Sequence, residues 1–437
     1  GYSKTDNFSE VPDYDRRSLT LKAGYKAGTS FSLDLKGGYY NDDMGWLSGS
    51  PLTYVKDESG NNKTDLTATA KYFLSTESFL QFSTAFSAND HSLQEYARSG
   101  FRSLNNLTKE KLQTYRLQWT TVPYTNSVLS LGTEYLKESI VSDRIVDGSR
   151  QYESSVLYGE NEWSVAGMTF SLGGRYSYNN VYGSFFSPKL SFMANLADNL
   201  TLRASYGRGF REPSLKELFI MFANSVGYVV EGEPGLKPEK SSGLTAGLEY
   251  TPVSSIWLRV NLYHNNITNL IDYYIKTNSG ERLILSYYNI SSAVTQGLDA
   301  DVTFAPSSSL QLKFGYSYTD AKSGDGTQLP FRVPHTINFK AAVGIDAIDT
   351  RVSVFGHWYS NQKVLDDQTN KNIYTGTEAV VYSTQPAFAV LNAKVEKQLF
   401  GTVQAFVGIT NITGKTMYPF GQVKPREYYA GINFLFQ

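Results

Sequence analysis

The amino-acid sequence predicts an all-β chain folded as a transmembrane antiparallel up-and-down barrel. Three observations carry this. Apolar and polar residues alternate from end to end of the 437 residues. The links between alternating segments are short and long by turns. Aromatic residues make up 14% of the chain, with 32 Tyr and 25 Phe, while charged residues are held to 19%. A wall between lipid and water shows hydrocarbon an apolar residue at every second position and shows water the other. Its average polarity is therefore near neutral, which accounts for a mean hydropathy of -0.33. Tyrosine suits the rim of such a wall, its ring among lipid tails and its hydroxyl in the headgroup layer.

The alternation can be followed in chain order. Leu19, Leu21, Ala23 and Tyr25 share one face, and Phe31, Leu33, Leu35, Gly37 and Tyr39 the next. Leu66, Ala68, Ala70 and Tyr72 follow, then Leu202, Ala204 and Tyr206, then Leu244, Ala246, Leu248 and Tyr250. Ile256, Leu258, Val260 and Leu262 come next, then Leu310, Leu312, Phe314, Tyr316 and Tyr318, with Gln311, Lys313, Gly315 and Ser317 between them. Period two at this length marks strands with one apolar and one wet face.

Short turns are expected at 27–30, 75–78, 123–126, 166–168, 197–199, 252–255, 305–309, 345–350 and 399–402. Longer links fall at 42–64, 89–110, 211–241, 267–285 and 359–386. Outer-membrane barrels alternate short periplasmic turns with long extracellular loops. A soluble propeller has no reason to do so, and the chain shows no fixed 40–50-residue repeat.

Nineteen strands are expected, starting near 17, 30, 65, 78, 112, 127, 152, 168, 187, 200, 243, 256, 290, 310, 335, 350, 387, 402 and 427. The last descends from a long link, which puts the C-terminus on the short-turn, periplasmic side. The first leads into a short turn, so it descends as well and Gly1 falls on the opposite side. A barrel entered from the periplasm then requires an odd number of strands before Gly1, most simply three. Residues 1–437 are thus read as one barrel domain without its first strands.

Other classes lose ground on composition. No apolar run reaches the ~18–20 residues of a spanning helix, and no signal peptide is present. Cysteine is absent, which excludes disulfides, thiolate metal sites and cysteine nucleophiles. A net charge of -1 gives no chain-wide basic signal for nucleic acid. No Gly-x-Ser-x-Gly elbow occurs, so catalysis is not expected. His91, His264, His335 and His357 lack metal-ligand spacing, so neither metal nor cofactor is expected. His264 sits in the apolar register near a strand end, where a girdle position explains it, and His335 opens a strand.

Four motifs stand out. Tyr206-Gly-Arg-Gly-Phe210-Arg211-Glu212-Pro213-Ser-Leu215-Lys-Glu-Leu218-Phe219 ends a strand and enters the longest link. About twenty residues on, Gly232-Glu233-Pro234-Gly235-Leu236-Lys-Pro238-Glu239-Lys-Ser241 leads into the strand that carries Glu249. Tyr288-Asn289-Ile and Thr295-Gln296-Gly297-Leu298-Asp299 form a third, and Phe331-Arg-Val-Pro334-His335-Thr a fourth. The last strand places Tyr428, Ala430, Ile432, Phe434 and Phe436 on one face.

In this order the motifs resemble the conserved boxes of TonB-dependent outer-membrane transporters: Phe-Arg-Ala-Pro, then Asn-Pro-Asn-Leu-x-Pro-Glu, then Thr-x-Gly, then Pro-x-His. The terminal strand resembles the aromatic-ended last strand of bacterial outer-membrane barrels. The likeness is clear over 200–437 and extends by strand rhythm to the whole chain. It implies twenty-two strands, which agrees with nineteen here plus three upstream. It implies a bacterial outer-membrane location, contact with lipid, an N-terminal plug, and import of a scarce bulky solute (ferric siderophore, cobalamin or heme) energised by TonB. It allows a surface lipoprotein or other outer-membrane subunits as partners. Glu212 departs from the family's Ala, and Glu233 and Gly235 from its Asn. No His lies between Phe210 and Pro238, where heme-transporting relatives commonly carry one.

The resemblance fixes Phe210, Arg211, Pro213, Pro234, Leu236, Pro238 and Glu239 as the box residues. These shape a loop more readily than they touch a solute, because proline at a strand end breaks the ladder anywhere. Arg203, Arg211, Glu249, Arg259 and Lys313 are expected on the lumen side, either facing a plug or an anionic ligand or simply solvating the inner wall. Trp46, Phe222, Tyr228, Tyr273, Tyr274, Tyr287, Trp358 and Tyr359 lie in or beside the long links. Aromatic faces with a few polar groups suit a bulky chelate, and they equally suit anchoring at the outer membrane interface. The contending functions are active import, a non-transporting barrel subunit of a larger outer-membrane assembly, and a passive porin, whose ~16–18 strands are too few.

Overall fold

The computed structural model describes residues 2–5, 13–48, 55–97, 102–223, 228–277, 283–365, 382–415 and 426–434. Strand dominates: β1 (Tyr2–Thr5), β2 (Asp13–Ala27), β3 (Phe31–Ser48), β4 (Val55–Ser75), β5 (Ser78–Ala97), β6 (Arg102–Tyr124), β7 (Ser127–Ser142) and β8 (Ser149–Val165). Then come β9 (Met168–Asn179), β10 (Gly183–Ala197), β11 (Leu200–Arg211), a short helix α1 (Leu215–Phe219), β12 (Met221–Ala223) and β13 (Tyr228–Glu231). The remainder are β14 (Glu239–Val253), β15 (Ile256–Thr277), β16 (Leu283–Ser307), β17 (Leu310–Ser323), β18 (His335–Ile345), β19 (Thr350–Tyr359), β20 (Gln362–Leu365), β21 (Tyr382–Gln385), β22 (Phe388–Phe400), β23 (Val403–Thr410) and β24 (Glu427–Phe434).

Nineteen of these, β2–β11, β14–β19 and β22–β24, form the barrel wall, each antiparallel to the next. The register explains why they pair. Leu202, Leu248, Val260, Ala300, Tyr316 and Ile337 stand opposite one another in a single row across six strands. Because opposed residues share a face, this row is one line of a continuous apolar outer surface. Leu19 is 57% and Phe314 48% exposed, which only a lipid-facing residue can tolerate in such numbers. The inward rows are polar, as in Thr20, Lys22, Asp34, Lys36, Thr67 and Thr69. Among the described residues, buried apolar side chains form two small clusters near the long-loop rim and no central core.

Three expectations change. A short strand, β1, precedes the first expected one and lies antiparallel to it, with Tyr2 opposite Arg17. The chain therefore rises before it first descends, and no ladder among the described residues joins β24 to β1 or β2. The links expected at 42–64, 89–110 and 267–285 are mostly strand, pairing up to Ser48 with Val55, Tyr96 with Arg102 and Thr277 with Leu283. Above the hydrocarbon both faces meet water, so apolar alternation stops at runs such as Asn61-Asn62-Lys63. The backbone still needs its hydrogen bonds, and the ladder continues. Trp46, Tyr273, Tyr274, Tyr287, Trp358 and Tyr359 consequently stand on strands rather than in loops. Finally, the long-loop rim is uneven: the link 180–182 is a tight turn in which Asn179 Oδ1 accepts from the amides of Val181 and Tyr182. Most of the expected link 359–386 lies outside the described residues.

Candidate functional site

The longest described link, 212–238, organises the mouth. Pro213 ends β11 and Ser214 starts α1, with its hydroxyl accepting from the Glu217 amide while the Glu217 carboxylate accepts from the Ser214 amide. This reciprocal capping satisfies two donors that a five-residue helix would otherwise leave open. The helix turns Leu215 and Leu218 down into the protein, each 2% exposed. Leu215 packs with Ile140, Ile145 and Tyr152 of the β7–β8 hairpin, a burial of roughly 2 kcal/mol per side chain.

Arg211 joins the first two motifs. It stands directly opposite Glu239 in the β11–β14 ladder and donates to both its carboxylate oxygens at 2.7 and 2.9 Å. Its remaining nitrogen donates to Glu217 at 3.0 and 3.2 Å. One guanidinium thus ties the end of one strand, the start of the next and the helix between them.

The second motif is shaped by close approach. A Cβ on Gly232 would lie 2.6 Å from the Leu218 carbonyl carbon, so only glycine lets this strand pass the helix end. Glu233 Oε1 accepts from the Gly235 amide at 2.8 Å, which is how this chain closes the turn without the family's Asn. Leu236 is buried, Pro234 exposed. Asn289 of the third motif holds the next residue: its side chain accepts from the Lys237 amide and donates to the Lys237 and Asn269 carbonyls. Asn269 in turn donates to the Pro238 carbonyl. Three motifs distant in sequence therefore form one polar lattice. In the same third motif, Gly297 lies beneath Tyr263, whose hydroxyl would sit 2.5 Å from any added Cβ. The fourth stands apart: His335 Nδ1 pairs with the Tyr316 hydroxyl at 2.8 Å.

The link also bridges the mouth. On one side Met221 donates to the Arg144 carbonyl and Val146 to the Phe219 carbonyl, joining it to the β7–β8 tip. On the other, β12 pairs with β13, and β13 lies parallel to β16 from Tyr228 opposite Leu283 to Glu231 opposite Ser286. A strap of backbone hydrogen bonds thus runs over the rim from β7–β8 to β15–β16. Beneath it lies a polar cluster of Glu212, Asn179, Tyr182, Glu138 and Tyr152. Asn179 donates to Glu212 at 3.0 Å, and burial pushes the Glu212 carboxyl above its ordinary value, with Glu138 adding to the rise.

The aromatic candidates do not converge. Phe222 lies under the Arg144 guanidinium at 4.1 Å. Tyr287 is half-buried on β16, and Tyr273 is exposed on β15. Trp358 belongs to the outer register opposite Ile337, whereas Tyr359 packs on Phe388. The side chains of Trp46, Tyr228 and Tyr274 lie outside the described residues. On the inner wall Arg203 pairs with Glu249 and Arg259 with Asp301, while Lys313 lines a concave pocket. Phe210 stacks on Phe185 at 4.3 Å. Glu217, Asn179 and the triad Arg116–Glu134–Arg175 were not singled out by the sequence, which offers no signal that a scattered polar residue will become a junction. Among the described residues no three His, Asp or Glu side chains converge on a possible metal position.

A nineteen-strand lipid-facing wall with a strapped mouth defines a large outer-membrane β-barrel. The family model for "TonB dependent receptor-like, beta-barrel" matches residues 1–412, and the chain belongs to that family. It is 28% identical over 220 residues to an iron-regulated outer membrane virulence protein of Vibrio cholerae, covering 47% of this chain and 33% of that protein. The fold is similar to the FrpB iron transporter of Neisseria meningitidis, with a TM-score of 0.74, 13% identity, and 97% of this chain and 73% of that one covered. It is also similar to the siderophore receptor PirA of Acinetobacter baumannii, with a TM-score of 0.72, 14% identity, and coverage of 99% and 79%.

Proposed function

We propose that this chain is the wall of an active importer for a scarce, bulky iron chelate of the ferric siderophore class, energised through TonB. In this reading residues 1–437 form one barrel domain. The short turns and the C-terminus face the periplasm, and the strapped mouth faces outward to meet the solute. The observation that carries the reading is the lattice of three motifs around Arg211 and Asn289, which fixes a strap of backbone across the mouth. The iron-regulated relative and the iron-transporting structural neighbours favour iron over cobalamin. The absence of a histidine between Phe210 and Pro238 disfavours heme.

The test is uptake of radio-iron, offered as a panel of ferric chelates, by cells expressing the full-length protein with and without TonB. Accumulation of one chelate class, abolished without TonB, is the expected result. Equal uptake in both strains would sink the proposal.

A further inference from the structure

The first two motifs have an outer side that the lattice at the mouth leaves unexplained. Arg211 and Glu239 face inward, so the residues alternating with them stand in the outward register: Arg208 and Phe210 on β11, Lys240 and Ser242 on β14. The wall is broken beside them. The β10–β11 ladder stops at Lys189 opposite Gly207, yet β10 begins at Gly183 and β11 runs on to Arg211. Above the break each strand pairs only on its far side, β10 with β9 and β11 with β14. Pro188, at the break, has no amide to donate, and the stacked rings of Phe185 and Phe210 meet in the upper seam. Arg208 and Lys240 are diagonal neighbours across β11 and β14, with Cβ atoms about 7 Å apart, and both are exposed. Arg208 Nε donates to the Tyr206 hydroxyl at 3.3 Å, and the Lys240 ammonium lies 5.5 Å from the centre of the Phe185 ring. Among the described residues no carboxylate pairs with either cation, and the outward register of β9, β10, β11 and β14 holds none. Just below, Leu190, Tyr206 and Leu244 stand opposite one another and are all exposed. Arg208 follows two residues above Tyr206, ~7 Å higher, where hydrocarbon gives way to headgroups.

We infer that this seam is a binding site for a membrane lipid whose headgroup carries a phosphate monoester. Arg208 and Lys240 hold the phosphate, and an acyl chain lies over Leu190, Tyr206 and Leu244. A monoester carries about -1.5 to -2 charge at neutral pH, which matches two cations that have no counter-charge of their own. The guanidinium can grip two of its oxygens at once, and the ammonium adds a point charge. Basic pockets at a membrane surface take lipid headgroups by the same attraction. The outward register faces away from the lumen, so whatever fills the lumen does not cover this site. The site stands on this geometry and not on the import reading, and its binding needs no energised membrane.

The test uses the full-length protein in detergent, titrated with dioleoyl phosphatidate and followed by native mass spectrometry. A saturable first adduct is expected, weakened about tenfold by Arg208→Gln or Lys240→Gln and lost in the double variant. Lys111→Gln, an exposed outward lysine on β6, serves as the control and should leave the adduct unchanged. Both cations are exposed, so the double variant should melt with wild type, which separates loss of a site from loss of fold. An adduct that survives the double variant, or that Lys111→Gln weakens as much, overturns the assignment. Phosphatidylglycerol binding as tightly as phosphatidate overturns the monoester part. Inorganic phosphate that displaces the lipid at equal concentration overturns the lipid part, because the acyl chain then contributes nothing. Wild-type protein that forms no saturable adduct overturns the whole.

Discussion

The lower wall and the strapped mouth are built on opposite principles. In the wall one rule repeats on all nineteen strands, and stability is spread over dozens of equivalent lipid contacts. In the mouth each contact is singular, polar and long in sequence separation: Arg211 reaches Glu239, and Asn289 reaches Lys237 across 52 residues. A substitution in the wall should therefore matter only when it offends lipid. In the mouth it should matter when it removes a junction, whatever its hydrophobicity.

The sharpest way to break this contrast is a charge on each face of one strand. Phe314→Arg puts a guanidinium in the hydrocarbon and should cost about 2–4 kcal/mol, read as a lower urea midpoint for unfolding in lipid vesicles. Ser317→Arg, three residues on, points inward, where the Ser317 hydroxyl now donates to Asp299 at 2.6 Å. It should cost under ~1 kcal/mol. Equal costs would mean the two faces are not what the register makes them.

Next in size is Arg211→Ala. It strands Glu217 and Glu239, whose side chains are only 18% and 14% exposed. Removing one partner from a buried pair costs ~3–5 kcal/mol. Arg211 itself is 46% exposed, so screening reduces this to about 2 kcal/mol. The loss should be local: amide exchange accelerates over 214–238 while the midpoint for the wall hardly moves. A wall that loosens in step would erase the distinction between the two regions.

That distinction also decides what was legible in the sequence. Lipid imposes period two, so the strands carrying Leu19, Leu258 and Phe314, their number and most of their turns could be read directly. Strand tops could not, because at Asn61–Lys63 or Lys109–Lys111 water meets both faces and the pattern falls silent while the ladder goes on. The motif residues Arg211, Pro213, Leu236 and Glu239 were legible as a set, by resemblance. What they touch was not, since Asn289 and Glu217 join them only through pairing across strands.

A milder test of the mouth is Asn289→Ala, which removes three hydrogen bonds to backbone groups that are partly open to water. The expected cost is about 1–2 kcal/mol, appearing as faster exchange at the Lys237 amide with α1 still protected. If α1 loosens equally, the strap is one cooperative unit rather than two clamps in series.

The smallest effect concerns Glu212, and its sign is the informative part. Burial beside Glu138 holds its carboxyl above the ordinary range, and Asn179 and Arg175 only partly offset this. The folded state therefore keeps a proton that the unfolded state has already released. Its contribution to stability is complete below the ordinary carboxylate value and is lost as pH rises through the higher folded one. Glu212→Gln keeps an acceptor for Asn179 but carries no charge, so it should match wild type in acid and hold the strap more tightly at neutral pH. Exchange rates over α1, compared below and above the carboxylate range, give the comparison directly. A variant less protected at neutral pH would mean that the Glu212 charge is stabilised by its neighbours, and that the mouth tolerates buried charge better than its packing implies.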